Sequence, residues 1–306
     1  MKSPKGLCCK CLTNRRLVPT SHLQYTAKSH HLQWNSHQLS SICSKFYHDY
    51  CPEPLKNRHN VHLSKVSDES LLVLLLLQAE LGIRSQRHFY RICQLFPCGH
   101  LLERSRFNRR ARQLIWLVQV IRQAMTAHIS PDAIVIIDSF PLPLCQSVCN
   151  YRTRIFNGLA DIGYNASKHL WFYGFKVHML VTLSGYILNY VVTPASVHDI
   201  RAVDDLLENC RQAYILADLG YFSKDLKDHL GQKGYHLWTP LRQNMAGANQ
   251  HNHWQLMAMR RTIETRFSEL CALFDVEHTL TRGLAGLQLR LEQIVLAYHL
   301  RYFEII

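Results

Sequence analysis

The sequence predicts an α/β protein: a mixed β-sheet flanked by helices, preceded by a helical, basic N-terminal region. Three observations predict it. Ala133-Ile134-Val135-Ile136-Ile137-Asp138 is an apolar run ending in a carboxylate, and Tyr214-Ile215-Leu216-Ala217-Asp218 repeats the pattern. Such short runs, rich in β-branched residues, read as buried strands. Between them, Leu170 to Leu183 and Tyr186 to Thr193 are two strand-like runs joined at Ser184-Gly185, a hairpin signal. Charge is also unevenly divided. Residues 1–130 hold 19 Lys+Arg against 6 Asp+Glu, whereas residues 131–306 hold 16 of each, so the whole net charge of +13 lies ahead of the first Asp-tipped strand.

These features divide the chain into a weakly patterned segment 1–65, a helical basic region 66–130 and a sheet-containing domain 131–306. Hydrophobic residues make up 47% of the 306 residues, enough for a sizeable core. The 11 cysteines are odd in number and scattered, which suits reduced thiols and a cytoplasmic protein. Cys8-Cys9-Lys10-Cys11, with His22 and His30-His31 nearby, invites zinc. No second cysteine pair follows at zinc-finger distance. The longest apolar run, Leu71 to Leu77, is shorter than the ~20 residues a membrane span requires.

In chain order, Ser67-Asp68-Glu69 opens a helix through Leu71 to Ala79 that Gly82 ends. Ser85 caps a second helix, Gln86 to Phe96, terminated by Pro97 and Gly99. Ser105 caps a third, longer helix to about His128, with Leu114, Leu117, Val118, Ile121 and Met125 on one apolar face. The strand ending at Asp138 precedes Pro141 and Pro143, which are expected to take the chain out of the sheet. A polar loop, Cys149 to Lys168, leads to the hairpin. His198-Asp199 then opens a helix carrying Ile200, Val203, Leu206, Leu207 and Cys210, with Asp199 as its cap. After Asp218, Gly220 makes an exit turn. A short helix starts at Ser223, and Tyr235 to Trp238 is a strand stopped by Pro240. A loop from Arg242 to about His253 leads to a long helix with Leu256, Met259, Ile263, Phe267, Leu270 and Phe274 as its buried stripe. Glu264 sits at the margin of that stripe. A last helix spans about Leu284 to Phe303.

The second and third helices carry Arg84, Arg87, Arg91, Arg104, Arg106, Arg109, Arg110, Arg112 and Arg122 against a single Glu103. The guanidinium fork matches phosphate, so this excess points to duplex DNA; the plainer reading is a solvated basic face.

Two Asp at the ends of neighbouring parallel strands can lie close together, and Glu264 on the following long helix can meet them. A lone Asp in such a place is most simply a turn cap. Three converging carboxylates repel unless cations lie between them. Oxygen donors without Cys or His suit Mg²⁺ or Mn²⁺, and two such ions suit in-line phosphoryl displacement. No Gly-x-x-x-x-Gly-Lys loop indicates ATP use.

At these residues the chain resembles the DDE transposases of small bacterial insertion sequences, which have a ribonuclease H-like catalytic core. The resemblance covers roughly residues 66–303. It is carried by Gly82-Ile83-Arg84-Ser85-Gln86-Arg87, Ser105-Arg106-Phe107-Asn108-Arg109-Arg110, Ile137-Asp138-Ser139-Phe140-Pro141-Leu142-Pro143, Tyr173-Gly174-Phe175-Lys176-Val177-His178, Thr193-Pro194-Ala195-Ser196-Val197-His198-Asp199, Ala217-Asp218-Leu219-Gly220-Tyr221 and Arg260-Arg261-Thr262-Ile263-Glu264-Thr265-Arg266-Phe267. The resemblance implies Asp138, Asp218 and Glu264 as catalytic ligands of two Mg²⁺ or Mn²⁺ ions. The related Tyr-Arg-Glu-Lys pattern on the Glu helix is partly present. Arg260 stands four before Glu264, but Met257 and Cys271 occupy the Tyr and Lys places. Only 45 residues separate Asp218 from Glu264, too few for the large β insertion some relatives carry.

The expected activity is metal-dependent cleavage and strand transfer at element ends, with no covalent protein–DNA bond. The expected partners are double-stranded DNA, as terminal inverted repeats and target, and a second copy in a homodimer; no membrane partner is expected. Arg84, Arg87, Arg106, Arg109, Arg110, Lys176, Arg260 and Arg261 are the expected DNA contacts, and the expected location is the cytoplasm, at the nucleoid. The alternatives are a decayed or domesticated DNA-binding protein without chemistry and a plain metal-dependent nuclease.

Overall fold

The computed structural model describes residues 36–59, 61–95, 101–127, 132–166 and 168–302. The Cys8-Cys9-Cys11 cluster, Pro97, Gly99 and His128 lie outside them. Among the described residues six helices come first: α1 (Ser36–Tyr50), α2 (Glu53–Lys56), α3 (Asp68–Glu80), α4 (Gln86–Leu95), α5 (Arg104–Gln113) and α6 (Ile115–Ala127). Leu39, Cys43 and Phe46 of α1 are buried in the same core as α3, so part of the weakly patterned segment belongs to the helical layer. Ser67 caps α3 as expected, its hydroxyl accepting the Ser70 N–H at 3.1 Å. Burial pushes the Asp68 carboxyl up, but Arg58 and Arg110, each at 2.5 Å, more than offset this and hold it below the usual range.

The expected long third helix is two helices. Glu103, not Ser105, is the cap: its carboxylate accepts the backbone N–H of Ser105 at 3.0 Å and of Arg106 at 3.3 Å. The break falls at buried Leu114 (φ −89°, ψ 0°). It lets α5 stay on α3 while α6 turns along the last helix, a packing demand with no local sequence marker.

Six strands form one sheet: β1 (Ile134–Gln146), β2 (Asp161–Asn165), β3 (Leu170–Thr182), β4 (Ile187–Pro194), β5 (Tyr214–Ala217) and β6 (His236–Trp238). β1 pairs antiparallel with β3 and parallel with β5, which pairs parallel with β6. β3 gives its other edge to β2 over Leu170–Gly174 and to β4 over Phe175–Val181. The predicted fold class is therefore the observed one: an α/β fold whose mixed sheet joins the antiparallel strands β1 to β4 to two parallel strands reached through helices.

Two expectations here need correction. β1 does not leave the sheet after Asp138; it runs through Pro141 and Pro143 to Gln146, paired with β3 apart from a register shift between Pro143 and Cys145. The prolines are tolerated because β5 pairs only with Ile134–Ile137, so beyond Ile137 β1 is flanked on one side only. Short β2 lies inside the stretch expected to be loop. Gly174, opposite Pro143, is required there: a Cβ would come within 2.3 Å of the Leu142 carbonyl oxygen.

The remaining elements are α7 (Val203–Leu206), α8 (Lys224–Gln232), α9 (Ala248–His251), α10 (Trp254–Phe274) and α11 (Leu284–Tyr302). The expected helix from His198 is shorter than predicted, a 3-10 turn Asp199–Ala202 running into α7. α7 and α8 cover one sheet face with Val203, Leu206, Leu226 and Leu230 against Val135, Ile137 and Ile215. On the other face Ile136, Phe140, Val177 and Leu216 share a core with α10, α11 and the N-terminal helices. Arg122, counted above with the basic helix faces, is buried in this layer and pairs with buried Glu292 at 2.9 Å. Tyr190 donates to the same carboxylate at 2.9 Å.

Candidate active site

The period of two along a strand decides where each acid points. Asp138 shares the face of Ile136 and Phe140, and Asp218 continues the face of Leu216; both faces lie under α10. Asp138 stands one residue past the last β1–β5 pair, and Asp218 just past the end of β5, so the two emerge where those strands part. α10 is fixed over this point by buried Ile263, Leu270 and Phe274 and by the Phe267 ring, 5.0 Å from that of Phe140.

That anchoring brings one turn of α10 over the acids. The Arg260 guanidinium reaches Glu264 at 2.8 Å, Asp218 at 3.6 Å and Asp138 at 3.8 Å. The structure thus gathers Asp138, Asp218 and Glu264 around a single cation from their own helix layer. Among the described residues, no three His, Cys, Asp or Glu side chains are drawn together as a ready metal cage. Burial pushes Asp138 up to about 7. The Ser139 N–H, donating to its carboxylate at 2.8 Å, pulls it back; Asp218 raises it further, Arg260 lowers it and Asp199 raises it. Glu264 and Asp218 are much more open to water, with side-chain exposures of 56% and 48%.

A second polar cluster lies on the opposite sheet face, one residue out of phase. Lys176 pairs with Asp199 at 2.5 Å. Fully buried His178 meets Thr193 Oγ1 at 2.8 Å and the Tyr221 hydroxyl at 3.5 Å. Burial pushes His178 down to about 4, so its ring is neutral at pH 7. Burial, then Asp199, Asp138 and Asp218, hold the Tyr221 hydroxyl well above its usual range. Asp199 is therefore not the helix cap expected above. The cap is His198, whose Nδ1 accepts the Ile200 N–H, which leaves the Asp199 carboxylate to pair with Lys176. Sequence offered no signal for this beyond an Asp beside a His. A Cβ at Gly220 would lie 3.3 Å from Asp199, so a small residue in the Asp218 turn suits this approach.

The expected DNA contacts are not equivalent. Arg87, Arg106, Arg109 and Arg261 are exposed. Arg84 pairs with Asp275. Arg110 points inward, donating to Ser64, the Val66 carbonyl and Asp68. Lys176 and Arg260 are engaged with acids as described.

The structure thus shows an acidic cluster held by Arg260 at the strand ends of a mixed sheet. Residues 128–284 match the family model described as Transposase DDE domain, and the chain belongs to that family. Among solved structures it is similar to the piggyBac transposase in a cryo-EM synaptic complex with hairpin DNA. That similarity has 11% identity and a TM-score of 0.46, and covers 85% of this chain and 75% of the other. No curated protein sequence matches. Among the described residues, no helix is long and apolar enough to cross a membrane.

Proposed function

We propose that this chain is an insertion-sequence transposase that cuts DNA at the element ends and joins them to a target in a metal-dependent reaction. The observation that carries the reading is the meeting of Asp138, Asp218 and Glu264, from two strand ends and one helix, at the Arg260 guanidinium. Three carboxylates against one guanidinium leave an excess of negative charge in a half-sheltered cleft, and the donors are all hard oxygens. Such a donor set fits Mg²⁺ or Mn²⁺. Asp138, Asp218 and Glu264 would hold two ions, which when bound supply activation of water and neutralisation of charge on the phosphate oxygens.

The chain's own residues do the rest. Arg260 bridges the three acids and would compete with bound ions for them. Exposed Arg261, one residue along, is placed to contact a phosphate. Arg87, Arg106 and Arg109 present positive charge to a duplex. The working complex is expected to hold two copies, one per inverted repeat, acting at the nucleoid. Residues 66–130 serve as the DNA-binding region and 131–306 as the catalytic domain.

The test is Asp138→Asn with supercoiled DNA and Mg²⁺ or Mn²⁺. Nicking is expected to fall by roughly 10²-fold or more while DNA affinity holds. Nicking that survives removes Asp138 from the site. One observation favours a second reading, a DNA-binding protein without chemistry: Arg260 engages all three acids, and among the described residues no three His, Cys, Asp or Glu side chains form a metal cage. Wild-type protein that binds DNA yet never nicks it under either metal would establish that reading instead.

A further inference from the structure

Between the N-terminal helices and α11 lies a cavity of about 300 Å³ lined by six arginines: Arg84, Arg87, Arg104, Arg112, Arg282 and Arg290. Among the described residues, no Asp or Glu lines it. Asp275, which engages Arg84 from outside the lining, is also bound by His278 at 2.6 Å. Among the described residues Arg87, Arg104, Arg112 and Arg282 make no ion pair. At the floor, Arg290 is 5% exposed; its Nη2 donates to the Phe274 carbonyl at 2.9 Å, but its buried Nη1 has no partner among the described residues. A buried donor on a charged group left unmade is costly. Burial and neighbouring Arg84 depress the Arg290 guanidinium to about 10, against the pull of Asp275. The first turn of α4 also faces the cavity through Ser85 and Gln86, adding the positive end of a ten-residue helix.

We propose that this cavity is a phosphate site that takes one backbone phosphate of the DNA and locks the α4–α5 pair to α11. The arginines come from α4, α5, α11 and the residues just before α4 and α11, and their guanidinium forks match a phosphate. The volume admits a phosphate and its sugar but no duplex. One phosphate would satisfy the orphaned Arg290 nitrogen and relieve the mutual repulsion of the cluster. The inference deepens the DNA-binding part of the proposed function and is independent of its chemistry: the cavity is built from residues other than the three acids.

The test uses the full chain. At fixed ionic strength, inorganic phosphate is expected to raise the thermal midpoint relative to chloride. That shift is expected to vanish in Arg87→Gln/Arg282→Gln, which changes only the cavity's rim and spares the buried Arg290. The same variant is expected to bind a short duplex more weakly, with a salt slope shallower by about 1 for each phosphate no longer neutralised. No phosphate shift in the wild type overturns the site. A phosphate shift with unchanged duplex affinity and slope overturns its assignment to DNA in favour of a free anion. Asp138→Asn retains the phosphate shift whether or not it nicks DNA, so this site and the catalytic reading fail separately.

Discussion

Arg260 and Glu264 stand one turn apart on α10 and meet at 2.8 Å, and the same guanidinium spans to Asp218 and Asp138. A cation from the chain sits among the three acids proposed above to hold metal. Arg260→Ala is therefore expected to lower stability by about 1 kcal/mol without divalent ions, a modest figure because Glu264 is largely exposed. Mg²⁺ is expected to stabilise the variant more than the wild type. Thermal unfolding with and without Mg²⁺ decides; equal stabilisation of both would mean Arg260 does not compete with ions for the acids.

Lys176 is tied to Asp199 at 2.5 Å rather than offered to solvent. Asp199→Asn would release it. Duplex affinity is then expected to rise at low salt, with a slope steeper by about 1. An unchanged slope, measured by fluorescence anisotropy across a salt series, would show that Lys176 faces no DNA.

Buried Arg122 and Glu292, with Tyr190 on the same carboxylate, join α6, β4 and α11. Glu292→Gln leaves the guanidinium charge uncompensated and is expected to cost about 3–5 kcal/mol in urea unfolding. Arg122→Met/Glu292→Leu together is expected to cost less than the single change, because no buried charge remains.

His299 accepts the Ile187 N–H through Nε2 at 3.0 Å, and burial, with Arg122 nearby, depresses it to about 3. In the unfolded chain it titrates near 6.5. As pH falls below 6.5 the unfolded state takes up a proton that the folded state refuses, so stability is present at neutral pH and lost downward toward pH 3. Buried His178, depressed to about 4, adds to the loss. Each contributes a slope of up to about 1.4 kcal/mol per pH unit. In urea titrations, His299→Phe is expected to flatten the dependence between pH 6 and 4; an unaltered dependence would assign the loss to other groups.

The sequence by itself determined most of the strands, though not β2 or the far half of β1, and several helix starts, because burial periodicity and caps such as Ser67 and Ser223 act over a few residues. It also singled out Asp138 and Asp218 as acids ending apolar runs, and Glu264 at the margin of a helix's apolar stripe. Only the tertiary structure decided what surrounds them. That β1 continues through Pro141 and Pro143 depends on how short β5 is. That the third helix breaks at Leu114 depends on where α11 lies. Arg110 and Arg122 look like surface charge in sequence but point inward to Asp68 and Glu292. Arg290 and Arg282 enter one cavity with Arg84 only because α11 packs against α4 and α5. Periodicity is a property of neighbouring residues, whereas the partner of a charge is set by packing between distant segments, 42 residues apart for Arg110 and Asp68 and 170 for Arg122 and Glu292.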